Sequence, residues 1–181
     1  MNQDPGVVKG TLRFDSLHEG ANPLELELTA AELELEAGEY RFPVPVALSL
    51  TVYRALETFT LSGAVRWQVA GECYRCLAPA SQELEVPLQL VIQRRQTTPE
   101  ERQAVADDGE VALCDPGAPV FDLRPLLRET VLVESPVRVS CREDCKGLCP
   151  RCGGDLNQGA CSCTAEPVDS RWAALKGVRF H

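Results

Sequence analysis

Six of the nine cysteines lie between Cys141 and Cys163, in the spacing C-x3-C-x3-C-x2-C-x8-C-x-C. Packing does not require such density, whereas clustered thiolates are natural ligands for zinc. Within the run, Cys149-Pro150-Arg151-Cys152-Gly153-Gly154 reads as a zinc knuckle. Two thiolates separated by two residues can share one tetrahedral metal with bonds of about 2.3 Å. Pro150 presets the turn. Gly153 can take positive φ, so that backbone N–H groups point at the sulfurs and soften their charge. A second C-x2-C, Cys73-Tyr74-Arg75-Cys76, closes the segment that contains Trp67.

Eight cysteines make two sites of four thiolates and leave one over. Cys114, alone in a polar stretch, is the natural orphan, a free thiol without a role. Two partitions of the eight are open. In the preferred one, Cys149 and Cys152 pair with Cys161 and Cys163 through a short turn at Asn157-Gln158-Gly159, while Cys73 and Cys76 pair with Cys141 and Cys145. In the other, the six clustered cysteines bind metal among themselves and the front pair stays empty. The two histidines, His18 and His181, stand near opposite ends of the sequence and outside any metal-type spacing. All-cysteine zinc sites are closed and structural, whereas catalytic zinc keeps an open position. An apparent zinc free energy of about 10 kcal/mol matches the stability of a whole domain, so folding is a sufficient job for the metal.

The same C-P-x-C letters occur in thioredoxin-like proteins, where a helix starts at the first cysteine. Here Gly153-Gly154-Asp155-Leu156-Asn157 follows, which is a turn, so redox chemistry and disulfides rank below zinc. Arg75, Arg142, Lys146 and Arg151 flank the proposed ligands, where their ordinary role is to offset thiolate charge.

The elements that must position these cysteines start with strands. Leu24, Leu26 and Leu28 alternate with Glu25 and Glu27, and Leu33 and Leu35 repeat the pattern. Further alternating sets run through Leu48, Leu50 and Val52, through Phe59 to Val69, and through Leu84 to Ile92. Period 2 puts each set on one face of a sheet whose other face is wet, the usual state of an antiparallel sheet. Residues 1–93 therefore read as an acidic β-rich region, with Glu25, Glu27, Glu32, Glu34 and Glu36 on a solvated strand face. Residues 94–120 are polar and punctuated by Pro and Gly, a long mobile loop with at most one helical turn. Residues 121–181 read as a helix plus a cysteine-rich tail docked on the β region. Asp122 caps that helix, Pro125 fits its first turn, and Pro136 stops it. Leu123, Leu126, Leu127, Thr130 and Val131 share its apolar face, and a last helix begins near Asp169 with Trp172 and Leu175 on one side. The fold class is mainly β with a few short helices (α+β), an antiparallel sheet or partly open barrel with a C-terminal zinc-knuckle region.

No apolar run approaches the roughly 20 residues of a membrane span, and the N-terminal MNQDPGVVKG lacks the regions of a secretory signal. A cytoplasmic protein is the expectation. The formal charge of −9 argues against a general nucleic-acid binder. It is uneven: residues 138–181 hold seven basic and five acidic groups, leaving eleven basic and 22 acidic groups in the rest. Eight thiolates holding two divalent cations take the total to about −13. No Gly-rich phosphate loop, Ser/His/Asp set or histidine-bearing metal site supports an enzyme or a small-molecule substrate.

GECYRCLAP, then DLRPLLRETVLVESPVRVSCREDCKGLCPRCGGDLNQGACSC, then DSRWAALKGV resemble the YceD family, the large ribosomal RNA subunit accumulation proteins. The likeness covers roughly residues 60–181, and Ser170 stands where that family's closing motif has proline. It implies a non-enzymatic factor in large-subunit (23S) rRNA accumulation and ribosome biogenesis, with the large-subunit precursor as partner. Within that role, charge favours a basic ribosomal protein steered to the acidic front over direct contact with rRNA. The alternative is a zinc-ribbon adaptor, or a redox or zinc sensor, unrelated to ribosomes.

Overall fold

The computed structural model describes residues 7–35, 40–101 and 111–163. The chain is mainly β and is not closed into a barrel: a five-stranded sheet runs β3-β4-β5-β6-β7 and a three-stranded sheet runs β1-β2-β8. The small sheet comprises β1 (Val7–Val8), β2 (Thr11–Arg13) and β8 (Val120–Asp122), all antiparallel. The large sheet comprises β3 (Gly20–Leu28), β4 (Val46–Ala55), β5 (Thr58–Glu72), β6 (Pro79–Arg94) and β7 (Val111–Cys114). Its first four strands are antiparallel neighbours, and β7 joins β6 in parallel.

The alternation read from the sequence becomes two faces. Leu24, Leu28, Leu48, Leu50, Val52, Phe59, Leu61, Val65, Leu88, Leu90 and Ile92 are buried, while Glu25, Glu27, Ser49, Thr51 and Ser62 between them are exposed. The buried face shares one hydrophobic cluster with Leu12, Phe14, Leu33 and the helix α1 (Arg124–Glu134). Leu123 at the N-cap and Leu127 and Val131 on α1 are fully buried at a spacing of four, so the helix presents one stripe to the core. Pro125 fits the first turn, where its missing N–H is not needed. The N-cap is Leu123 and not Asp122; Asp122 sits one residue earlier, accepts the Arg124 N–H at 3.0 Å, and pairs with the Arg124 guanidinium at 2.7 Å. At the far end Trp67 Nε1 donates to Ser135 Oγ at 3.0 Å, tying the helix C-cap to β5.

Two segments differ from the sequence reading. Leu33 and Leu35 do not continue a strand: residues 30–34 form a turn in which the N–H of Leu33 bonds Thr29 O and that of Leu35 bonds Ala30 O. Thr29 and Glu32 bond reciprocally, with Glu32 Oε2 accepting the Thr29 N–H and Thr29 Oγ1 accepting the Glu32 N–H. That is a capping box, written in the sequence as Thr29-Ala30-Ala31-Glu32. Glu32 and Glu34 consequently lie in a turn and not on a strand face. Within 94–120, read as a loop, Val111–Cys114 and Val120–Asp122 form β7 and β8. Strands this short carry too little periodicity to stand out. The last helix expected near Asp169, with Trp172 and Leu175, lies outside the described residues.

The fold assigns unequal weight to the two faces of α1. Replacing Leu127 with Ala is expected to lower unfolding stability by about 2–5 kcal/mol, read from urea denaturation. Val133→Ala, at a site 72% exposed, should stay within about 0.5 kcal/mol of the parent.

Candidate metal centre

Strands β5 and β6 pair from Thr58↔Gln93 to Glu72↔Pro79, so they form one long hairpin whose tip is Cys73-Tyr74-Arg75-Cys76. At the tip the Cys73 N–H bonds Ala78 O at 2.8 Å and the Leu77 N–H bonds Cys73 O at 2.9 Å. The second knuckle repeats this pattern: the Cys149 N–H bonds Gly154 O at 2.8 Å and the Gly153 N–H bonds Cys149 O at 2.9 Å. Gly153 takes φ +70°, as its residue type permits, and Leu77 holds the equivalent place at φ +61°. Sequence reasoning identified the glycine but not the leucine, because nothing in a leucine's chemistry signals a left-handed backbone.

The structure brings the eight sulfurs together four and four. Cys73, Cys76, Cys141 and Cys145 form one group, and Cys149, Cys152, Cys161 and Cys163 the other, with the ligand atoms of each group within 4.8 Å of one another. Cys114 belongs to neither group. The sulfurs approach to 3.8 Å for Cys73–Cys145, 3.6 Å for Cys76–Cys141 and 3.4 Å for Cys149–Cys161. A disulfide requires about 2.05 Å, and all nine cysteines are free. A tetrahedron of sulfurs around zinc at about 2.3 Å has edges near 3.8 Å, so the donor sets suit such an ion in number, type and spacing. Neither group includes a histidine or a carboxylate. These two clusters could hold metal ions.

The first group joins segments far apart in sequence, and backbone bonds seat it on both sides. The Tyr74 N–H donates to Val139 O at 3.0 Å, and the Leu148 N–H donates to Arg75 O at 3.1 Å. Gly147, at φ +75°, lets the chain pass so close to the knuckle that a Cβ there would lie 3.0 Å from Arg75 O. Arg75 contributes more than charge: its Nη1 donates to Cys145 O at 2.8 Å, and its guanidinium lies over the Tyr74 ring. Arg142 reaches Asp144 at 3.6 Å. The sequence reading missed Asn157, whose Nδ2 donates to Cys145 Sγ at 3.4 Å.

Without a cation, each group divides its protons unevenly. The Cys141 N–H, followed by those of Cys76 and Arg75, holds the Cys73 thiol down to about 5 against burial. Burial and then the neighbouring sulfurs push Cys141 up to about 12. In the second group the N–H groups of Cys152 and Arg151 hold Cys149 down to about 6, while the bond with Cys152 and then burial push Cys163 up to about 12. Burial is the largest influence on Cys145 and opposes its charge, yet the Asn157 amide, the Gly147 N–H and the thiols of Cys76 and Cys141 together lower it. Each group thus holds one favoured thiolate, and a cation bound there would displace the remaining protons.

The profile of the family described as "Large ribosomal RNA subunit accumulation protein YceD" matches residues 61–179, and the chain belongs to that family. An uncharacterized protein of Mycobacterium tuberculosis is 31% identical over 128 residues, covering 71% of this chain and 59% of the relative. A Zea mays protein named "Large ribosomal RNA subunit accumulation protein YCED homolog 1, chloroplastic" is 29% identical over 181 residues, covering 87% of this chain and 61% of the relative. Its namesake in Arabidopsis thaliana is 24% identical, covering 94% of this chain and 58% of the relative. The chain therefore spans about three fifths of the length of these relatives. No solved structure matches it.

The uneven protonation has a pH signature. Both depressed thiols lie below the ordinary value of 9.0. Their contribution to stability is complete above that value and is lost as pH falls through about 6 for Cys149 and about 5 for Cys73. Metal-stripped protein should show thiolate ultraviolet absorbance at neutral pH that disappears in this acid window. A single titration near the ordinary thiol range would contradict the assignment.

Proposed function

We propose that this chain is a non-enzymatic zinc-binding factor required for accumulation of large-subunit (23S) rRNA and for ribosome biogenesis in the cytoplasm. One observation carries the reading: a member of a family named for large ribosomal RNA subunit accumulation gathers eight cysteine sulfurs into two tetrads. Two structural Zn²⁺ ions are the proposed occupants, one held by Cys73, Cys76, Cys141 and Cys145 and the other by Cys149, Cys152, Cys161 and Cys163. All-thiolate sites favour zinc, which has no redox chemistry and accepts tetrahedral sulfur. Zinc in the first site would staple the tail beyond residue 121 to the β region of residues 1–93 as one folding unit.

A binding role suits what surrounds the sulfurs. The cleft beside the first tetrad, about 560 Å³, is lined by Tyr40, Arg41, Glu72, Tyr74, Leu77 and Arg138 among others. No described helix is long and apolar enough to cross a membrane.

The partner in this reading is the large-subunit precursor, contacted through a basic ribosomal protein before rRNA. Glu25 and Glu27 are exposed on β3, which among the described strands pairs with β4 alone, and Glu83 is exposed on β6. A metallated chain near −13 is repelled by phosphate, although salt limits the range to about 10 Å. The same charge steers basic proteins toward it.

The test is binding of the purified chain to protein-free large-subunit rRNA and to individual basic large-subunit proteins across a salt series. The expected result is salt-sensitive binding to at least one basic protein and weak binding to rRNA. Sub-micromolar rRNA binding with a steep negative salt slope would overturn the order of contacts, because it requires many phosphate contacts.

A further inference from the structure

Asn157 sits between Cys152 and Cys161, so ligands of the second tetrad hold both ends of its loop. Its side chain nevertheless addresses the first tetrad, with Nδ2 3.4 Å from Cys145 Sγ. The orientation of the amide is fixed by its other partners. Oδ1 accepts the N–H of Lys146, the residue after Cys145, at 2.8 Å. A backbone N–H can only donate, so the oxygen must face Lys146 and the NH₂ is left aimed at the sulfur. Asp155 braces the arrangement, its Oδ1 accepting from Asn157 N at 2.9 Å and from Asn157 Nδ2 at 2.7 Å. The adjoining backbone is latched to the same segment, since the Leu156 N–H donates to Gly147 O at 2.9 Å and Leu148 bridges Asp155.

We infer that Asn157 is a positioning residue that couples the two cysteine tetrads, so that closing the second tetrad delivers a hydrogen-bond donor to a ligand of the first. The inference rests on the reading that both tetrads bind metal. An N–H aimed at a thiolate stabilises its charge and fixes the direction of its lone pairs, and loss of such outer partners typically costs a site about 10–100-fold in metal affinity. The second tetrad is the local one, spanning 149–163 in the chain, and it fills first. Once filled, it pins the loop that carries Asn157 and improves the first tetrad, whose ligands come from two distant segments. Coupling of this kind is reciprocal, so an ion in the first tetrad steadies the second in return.

The test is Co²⁺ titration of the full-length, metal-stripped chain, followed by thiolate-to-cobalt absorption and by competition with a chelator. Cys73→Ser and Cys149→Ser assign each step to its tetrad. Asn157→Asp is isosteric and keeps the acceptor for Lys146, but it replaces the donor with a negative charge beside the sulfur. It should weaken the first tetrad about 10-fold or more while leaving uptake by the second, which fills first, unchanged. Asn157→Ala, without the added charge, should weaken the same step by less. Cys161→Ser keeps Asn157 but opens its loop, and should also weaken the first tetrad. Wild-type affinity at both tetrads in Asn157→Asp, or equal losses at both, would overturn the coupling. A wild-type chain that takes up no Co²⁺ would instead remove the metal reading on which the coupling stands.

Discussion

The gathering of Cys73 and Cys76 with Cys141 and Cys145 is the constraint on which the C-terminal part of the described chain depends. These sulfurs meet across sequence separations of 65 and 72 residues. The need for such a tie is visible in the sheet. β4 begins at Val46, and its pairing with β5 runs only as far as Ala47↔Arg66. Beyond Arg66, β5 continues through Glu72 with β6 as its continuous partner and a single bridge, Ala70 to Arg41, on the other side. A two-stranded ribbon is marginal in water. The knuckle at its tip, bonded to Val139 and Leu148, gives that ribbon an anchor at the end where the sheet no longer supplies one.

The second tetrad repeats the local geometry of the first. Both knuckles use the same pair of backbone bonds, five and four residues across, and both need a positive φ just after the second cysteine. They differ in what holds them in place. The front knuckle inherits its alignment from the strands on either side, whereas the rear knuckle has the single bridge Leu148↔Asp155 behind it. Asn157, braced by Asp155, turns its side chain from that loop toward Cys145 and Lys146, which gives a physical reason for two polar residues inside a cysteine loop.

The legible parts of the sequence were those with strong periodicity or rare residue types. The leucines of β3 and β4 and the long apolar alternation of β5 and β6 emerged as strands with the faces that period 2 assigns, and the stripe Leu123, Leu127, Val131 emerged as the buried side of α1. The turn at residues 30–34 was misread because Leu33 and Leu35 imitate alternation, and the capping box at Thr29 and Glu32 was the stronger local signal. β7 and β8 were missed because their pairing is decided by the strands they join. At the site, cysteine spacing leaves two partitions open, of which the preferred one has the two groups of four that the structure brings together, and it carries no sign of the supporting contacts. Arg75 was read as a charge offset and acts as a donor to a carbonyl, and Asn157 was read as a turn residue. Those roles arise from tertiary approach, which spacing along the chain does not encode.

The proposed occupant of each tetrad is one zinc ion in a closed, all-sulfur site. Elemental analysis combined with zinc X-ray absorption on the full-length protein tests it most directly. The result predicted is two zinc ions per chain, each with four sulfur neighbours at about 2.3 Å. One zinc per chain, or a first shell rich in nitrogen or oxygen, would contradict it.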